Sequence, residues 1–109
     1  MKSKLAGVVF LLAAFVPMTY GAERVHQLVL IAGKPSHPPR MHEFNAGVQL
    51  LANCLRGRSD LKVTVALNGW PRDETSLTGA DAIVFYMDGG RKHEVVQEYG
   101  RRLKFVDSL

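Results

Sequence analysis

Apolar residues run without interruption from Leu28 to Ala32, and the run stops at Gly33. It is too short for a helix and contains no polar position, the pattern of a parallel strand covered on both faces, predicted over 25–32. From Phe44 the apolar positions change period: Phe44, Val48, Leu51 and Leu55 form one stripe, which predicts a helix over about 43–56. Over 61–67, Val63 and Val65 alternate with Lys62 and Thr64 before the turn signal Asn68-Gly69, so this strand suits a sheet edge. A third strand over 82–87 is almost wholly apolar and is expected to be more central. Between the last two, 71–79 is a surface connection with room for a short helical turn. Val95, Tyr99, Leu103 and Val106 predict a second amphipathic helix, which Gly100 weakens by up to about 1 kcal/mol.

Right-handed crossovers place the first strand between the other two. The expected fold class is therefore α/β, a doubly wound three-layer parallel sheet of which the chain holds the first half, with strand order 2-1-3. One sheet edge is left without a partner, and the last predicted helix runs to Leu109 with no capping glycine or following strand. The expectation is a partial, truncated domain able to self-associate through that edge.

Parallel topology also brings the loops after all three strands to one edge, where open α/β sheets bind ligands. This gathers Lys34, Ser36 and His37 with Asn68 and Trp70 and with Asp88, Gly89 and Gly90. A polar pocket with one aromatic wall suits a small carbohydrate, with Trp70 stacking on a sugar face and Asn68 and Asp88 binding hydroxyls. A plainer reading has equal weight: Asn68-Gly69 is a turn, and Trp70 before Pro71 covers the sheet edge.

Four ordered blocks carry a family resemblance. Ala32-Gly33-Lys34-Pro35-Ser36-His37, then His42-Glu43-Phe44-Asn45-Ala46-Gly47, then Asn68-Gly69-Trp70-Pro71, and finally 80–84 with Asp88-Gly89-Gly90 resemble the successive motifs of the trehalose-utilisation, or ThuA-like, domain family. The resemblance spans about 28–93. It implies a flavodoxin-like sheet related to class I glutamine amidotransferases and a link to sugar metabolism, with no defined reaction. Two departures bear on what the pocket accepts. Pro38-Pro39-Arg40-Met41 stands where glycine and acidic residues are expected, and Arg91-Lys92 follows the double glycine where more glycine is expected.

Lys2 and Lys4 precede an apolar run over 5–16, with small residues near Gly21-Ala22, so residues 1–21 read as a secretory signal peptide and 22–109 as the domain. The run ends at Pro17, short of the roughly 20 apolar residues of a spanning helix, so a stable membrane anchor is not expected. The product is expected to be secreted or periplasmic. Lys2 and Lys4 are the only charged residues of 1–21, so cleavage lowers the formal charge from +4 to +2. The remaining cations occur in small groups such as Arg91-Lys92 and Arg101-Arg102, without interleaved aromatics, and do not form a nucleic-acid surface. Cys54 is the single cysteine, which excludes an internal disulfide. It is expected in mid-helix as a buried, inert thiol. Amidotransferase relatives carry their nucleophile on a later strand-to-helix elbow, so that chemistry does not transfer.

The candidate catalytic residues are His37, His42 and Asp88. Either histidine can move a proton at a hydroxyl- or carbonyl-bearing carbon, and a carboxylate at a strand end can orient substrate or act as the opposing acid or base. The candidate binding residues are Lys34, Ser36, Asn45, Asn68, Trp70, Gly89, Gly90 and His93. The Gly89-Gly90 amides would hold an oxyanion at the start of a following helix, with Arg91 and Lys92 adding charge, although glycine is equally needed to turn sharply there. His37 and His42 with His93 across the pocket also admit a metal, but two prolines separate the first pair and no cofactor is expected. The plain role of His42 is to begin the helix, with Asn45 bonding backbone in its first turn. The functional expectation is an exported protein that binds or acts on a sugar or sugar derivative. The alternatives are a non-catalytic carbohydrate-binding or interaction module, or a non-functional remnant.

Overall fold

In a computed structural model, residues 24–109 are described; the expected signal peptide over 1–21 lies outside them. The elements are β1 (His26–Ala32), α1 (Phe44–Cys54), β2 (Leu61–Ala66), α2 (Thr75–Thr78), β3 (Ala82–Tyr86) and α3 (Arg101–Asp107), with three short 3-10 turns between β3 and α3. The strands form one parallel sheet in the order β2-β1-β3, as the crossover rule requires. No helix of the described residues is long and apolar enough to cross a membrane.

β1 is the central strand, and among the described strands it alone has fully buried residues on both faces. Leu28, Leu30 and Ala32 face α1, where they pack with Phe44, Val48, Ala52, Val63 and Val65. Val29 and Ile31 point to the other side, against Leu77, Ile83, Phe85, Trp70 and Phe105. Leu30 and Ile31, adjacent and opposed, are both fully buried. Asp81 anchors the polar end of this arrangement: its carboxylate accepts from the Gln27 amide at 2.7 Å, and its own amide donates to the Gln27 carbonyl at 2.8 Å.

Several expectations are corrected. β3 is an edge strand, not a more central one: among the described strands it pairs only with β1. Its residues Val84 and Tyr86 are exposed on the α1 side, because α1 crosses between β1 and β2 and covers those two strands. The same placement leaves Leu51 40% exposed, and Ala52 takes its place in the stripe. Cys54 is exposed, and it is the last residue of α1 rather than a mid-helix one. The single C-terminal helix is absent. Glu98 and Tyr99 have φ of 53° and 54° and Gly100 has φ of 80°, so the chain reverses before α3 begins, and Tyr99 projects into solvent. Three successive left-handed residues cannot continue an α-helix.

α3 returns to the sheet through ionic contacts. Arg101 donates to Glu74 at 2.8 and 3.1 Å, and Arg102 lies 5.1 Å from the Trp70 ring centre while pairing with Glu94 and Glu98. Glu74 also accepts the Trp70 indole N–H at 2.7 Å.

Two stability predictions follow from this packing. Leu30→Ala should cost about 2–5 kcal/mol in chemical denaturation, whereas Leu51→Ala, on the exposed edge of α1, should cost less than about 1 kcal/mol. The hydrogen bonds from Arg101, and then from Trp70, hold the Glu74 carboxyl below its ordinary range. A group with a depressed folded-state pKa stabilises above its unfolded value of about 4.3, and that contribution is lost as pH falls through the folded value. Glu74→Gln should therefore flatten the acid side of the Tm-against-pH curve relative to wild type.

Candidate functional site

The loop from Gly33 to Glu43 is shaped by its prolines and by two left-handed residues. Pro35, Pro38 and Pro39 fix φ along it, and Arg40 and His42 have φ of 73° and 51°. Glu43 reaches back to accept the Arg40 amide at 2.5 Å, and the Phe44 amide donates to the His42 carbonyl at 2.9 Å. A non-glycine residue in the left-handed region is disfavoured by roughly 1–2 kcal/mol. Here it turns the His42 side chain toward the end of β3.

His42 Nδ1 lies 3.1 Å from Asp88 Oδ1. The His37 and His42 rings are 4.1 Å apart between centres, and Ser36 Oγ is 2.8 Å from His37 Nδ1. One potential ligand atom from each of His37, His42 and Asp88 lies within 4.8 Å of the others. The Ser36 hydroxyl, followed by the His42 hydrogen bond and the charges of both histidines, holds the Asp88 carboxyl below the usual carboxylate range against the opposing effect of burial. An ionised Asp88 can only accept, so in the neutral imidazole the proton that faces it is on Nδ1 and Nε2 keeps its lone pair.

Two clefts meet at this cluster and share Gly33 and Pro35. One, of about 370 Å³, is lined by Lys34, Ser36, Asp88, Arg91, Lys92 and Glu94 among others. The second, of about 270 Å³, is bounded by His37, Met41, His42, Phe44 and Asn45. Gly33 is buried at their junction, and a Cβ there would come within 2.5 Å of Met87 Cβ and 3.0 Å of Met87 Cα, so glycine is required by contact with β3's exit.

The other expected site residues have structural positions. Asn45 and Asn68 bond each other: the Asn45 amide donates to Asn68 Oδ1 at 2.8 Å, and the Asn68 backbone amide donates to Asn45 Oδ1 at 3.1 Å. Asn45 therefore ties α1 to the loop after β2, not to its own first turn. Trp70 does not wall the pocket. It stacks near Phe85 at 6.3 Å, meets Phe105 edge-on and lies beside Arg102, on the sheet face opposite α1. Trp70 serves packing, on a face of the sheet rather than over its edge. His93 also turns away, with its ring 5.8 Å from Phe85 and its Nδ1 accepting the Val95 amide, so it is not the third member of a histidine set. Gly89 is extended, and Gly90, with φ of 61°, begins a three-residue 3-10 turn. No helix follows to present its amino end, and the two glycines serve the turn.

Glu94 was not legible as a site residue. It is buried, pairs with Arg102, and lies 3.4 Å from Lys34 Nζ. Gly69, with φ of 104°, allows this: a Cβ there would stand 2.9 Å from the Glu94 carboxylate. The acidic residue after Lys92-His93 was the available signal, but its partner Arg102 comes from an element whose path the apolar spacing did not predict.

Comparison of the chain with protein-family models, with curated proteins and with solved structures gives no match in any of the three.

The backbone at His42 gives a direct test. His42→Gly and His42→Ala both remove the imidazole, but only glycine accepts φ of 51° without cost. Glycine should be the more stable of the two by about 1 kcal/mol in denaturant unfolding.

Proposed function

We propose that the carboxyl edge of the sheet binds a polyhydroxylated ligand, a sugar or sugar derivative, and that the His42–Asp88 pair moves a proton on it. The observation that carries this reading is the convergence of His37, His42 and Asp88 from two separate strand exits, at the junction of two clefts. The pocket recognises hydroxyls by hydrogen bonds rather than by stacking, because Trp70 is committed to the opposite face. Lys34, Ser36 and Asp88 supply donors and an acceptor along one wall, and Arg91 and Lys92 add positive charge at its rim. The ThuA-like resemblance of the same loops supports a carbohydrate, and the expected export places the protein where such ligands are met.

In this mechanism the lone pair on His42 Nε2 accepts a hydroxyl proton, and Asp88 orients the imidazole and stabilises it when charged. Asp88 remains ionised because its hydrogen bonds favour the carboxylate. The amidotransferase route has no counterpart, since Cys54 lies at the far end of α1. A non-catalytic module is the second reading, favoured by the exposure of His42, whose side chain is 48% accessible.

The test is heteronuclear NMR with a panel of neutral sugars and sugar acids, followed by turnover assays on any that bind. Binding should shift the amides of Lys34, Ser36 and Asp88, and His42→Ala should lower turnover about 10²–10⁴-fold with folding retained. Binding without turnover in wild type would select the module. Shifts confined to other faces of the sheet would contradict both.

A further inference from the structure

We propose that His37, His42 and Asp88 form a binding site for a divalent first-row transition cation, with zinc, cobalt or manganese as the class. The inference concerns the same edge as the polyol reading and rests on that reading only for what the metal would then hold. Two imidazoles and one carboxylate are a donor set that selects such ions over magnesium or calcium, which prefer oxygen alone. A tetrahedral site with bonds of about 2.0–2.1 Å holds its ligand atoms roughly 3.3 Å apart. His42 Nδ1 and Asp88 Oδ1 already stand at 3.1 Å, so a cation can replace the proton between them as that proton moves to Nε2.

His37 supplies the third ligand. All three ligand atoms lie within 4.8 Å of one another, and closing the widest edge requires a side-chain movement of about 1.5 Å, which the exposed His37 can make. The surroundings fit ligation. Ser36 bonds the His37 ring at 2.8 Å, the kind of outer partner that orients a metal-bound histidine. The loop is stiffened by Pro35, Pro38 and Pro39 and already carries the left-handed turn at His42, so little ordering remains to be done on binding. Three protein ligands leave open positions toward both clefts, where two adjacent ligand hydroxyls or a water and a hydroxyl can coordinate. In the metal-bound state the cation polarises the hydroxyl, and His42 becomes a ligand.

The experiment is titration of the purified chain, without sugar, with Zn²⁺ against a chromophoric chelator and with Co²⁺ by visible absorption. All four histidines lie among the described residues, so His26 and His93 serve as internal comparisons. The expected result is uptake of one ion per chain and a higher Tm with metal. Binding should weaken at least about tenfold in each of His37→Ala, His42→Gly and Asp88→Asn, and should be unchanged in His26→Gln. His42→Gly and Asp88→Asn avoid backbone strain and lost volume respectively, and circular dichroism checks that each variant is folded. No uptake by wild type, equal uptake in the three site variants, or loss of uptake in His26→Gln would overturn the inference. Sugar binding that persists in chelator with no metal uptake would overturn it and leave the polyol reading standing. Metal uptake with no sugar binding would do the opposite.

Discussion

The whole arrangement depends on β1 being covered on both faces. Leu30 and Ile31 are consecutive and fully buried in opposite directions, so α1 must lie on one side of the strand and α2 and α3 on the other. Burying side chains of this size stabilises by roughly 1.5–3 kcal/mol each relative to exposure. That double cover, with right-handed crossovers, sets β1 between β2 and β3. Because all three strands are parallel, it also delivers every strand exit to one edge. The site is a consequence of that packing: the residues after Ala32 and after Tyr86 meet because their strands are paired, and Gly33 permits the two exits to touch.

Placing polar groups there has a conformational cost. His42 adopts a backbone conformation its side chain disfavours, and Arg40 does the same two residues earlier. Such positions persist only where the surroundings over-determine them, and they concentrate at functional sites. The loop is held by Glu43 capturing the Arg40 amide and by a run of ring contacts, tilted from His42 to Phe44 and edge-on from Phe44 to Tyr86. Tyr86 in turn lies against Gly47, where a Cβ would fall 2.3 Å from its ring. The chain of contacts links the first turns of α1 to the edge strand, and through it to Asp88.

The sequence was informative where one physical signal dominated. Continuous burial of β1, the change of period at Phe44 and the Asn68-Gly69 turn each specify an element within a residue or two. The His37–His42–Asp88 grouping was legible for the same reason, since parallel pairing dictates it. Readings failed where two signals competed. The spacing of Val95, Tyr99, Leu103 and Val106 is helical, but glycine at position 100 with left-handed Glu98 and Tyr99 overrides it. Leu51 and Cys54 fit an apolar stripe, yet which side of α1 is covered depends on where the crossover helix lies over the sheet. Trp70 suits a sugar wall or a core plug equally by composition, and the long-range partners Phe85, Phe105 and Arg102 decide for the core. Glu94 and Arg102 are brought together by the reversal before α3, a feature no local pattern encodes.

The central claim is that Asp88 and His42 engage each other at the sheet edge, and the most direct measurement is the tautomeric state of each imidazole by long-range proton–nitrogen NMR. In the metal-free chain His42 is predicted to carry its proton on Nδ1 when neutral, facing Asp88, and to lose that preference in Asp88→Asn while His93 does not change. A His42 protonated on Nε2 and indifferent to the residue at position 88 would contradict the account.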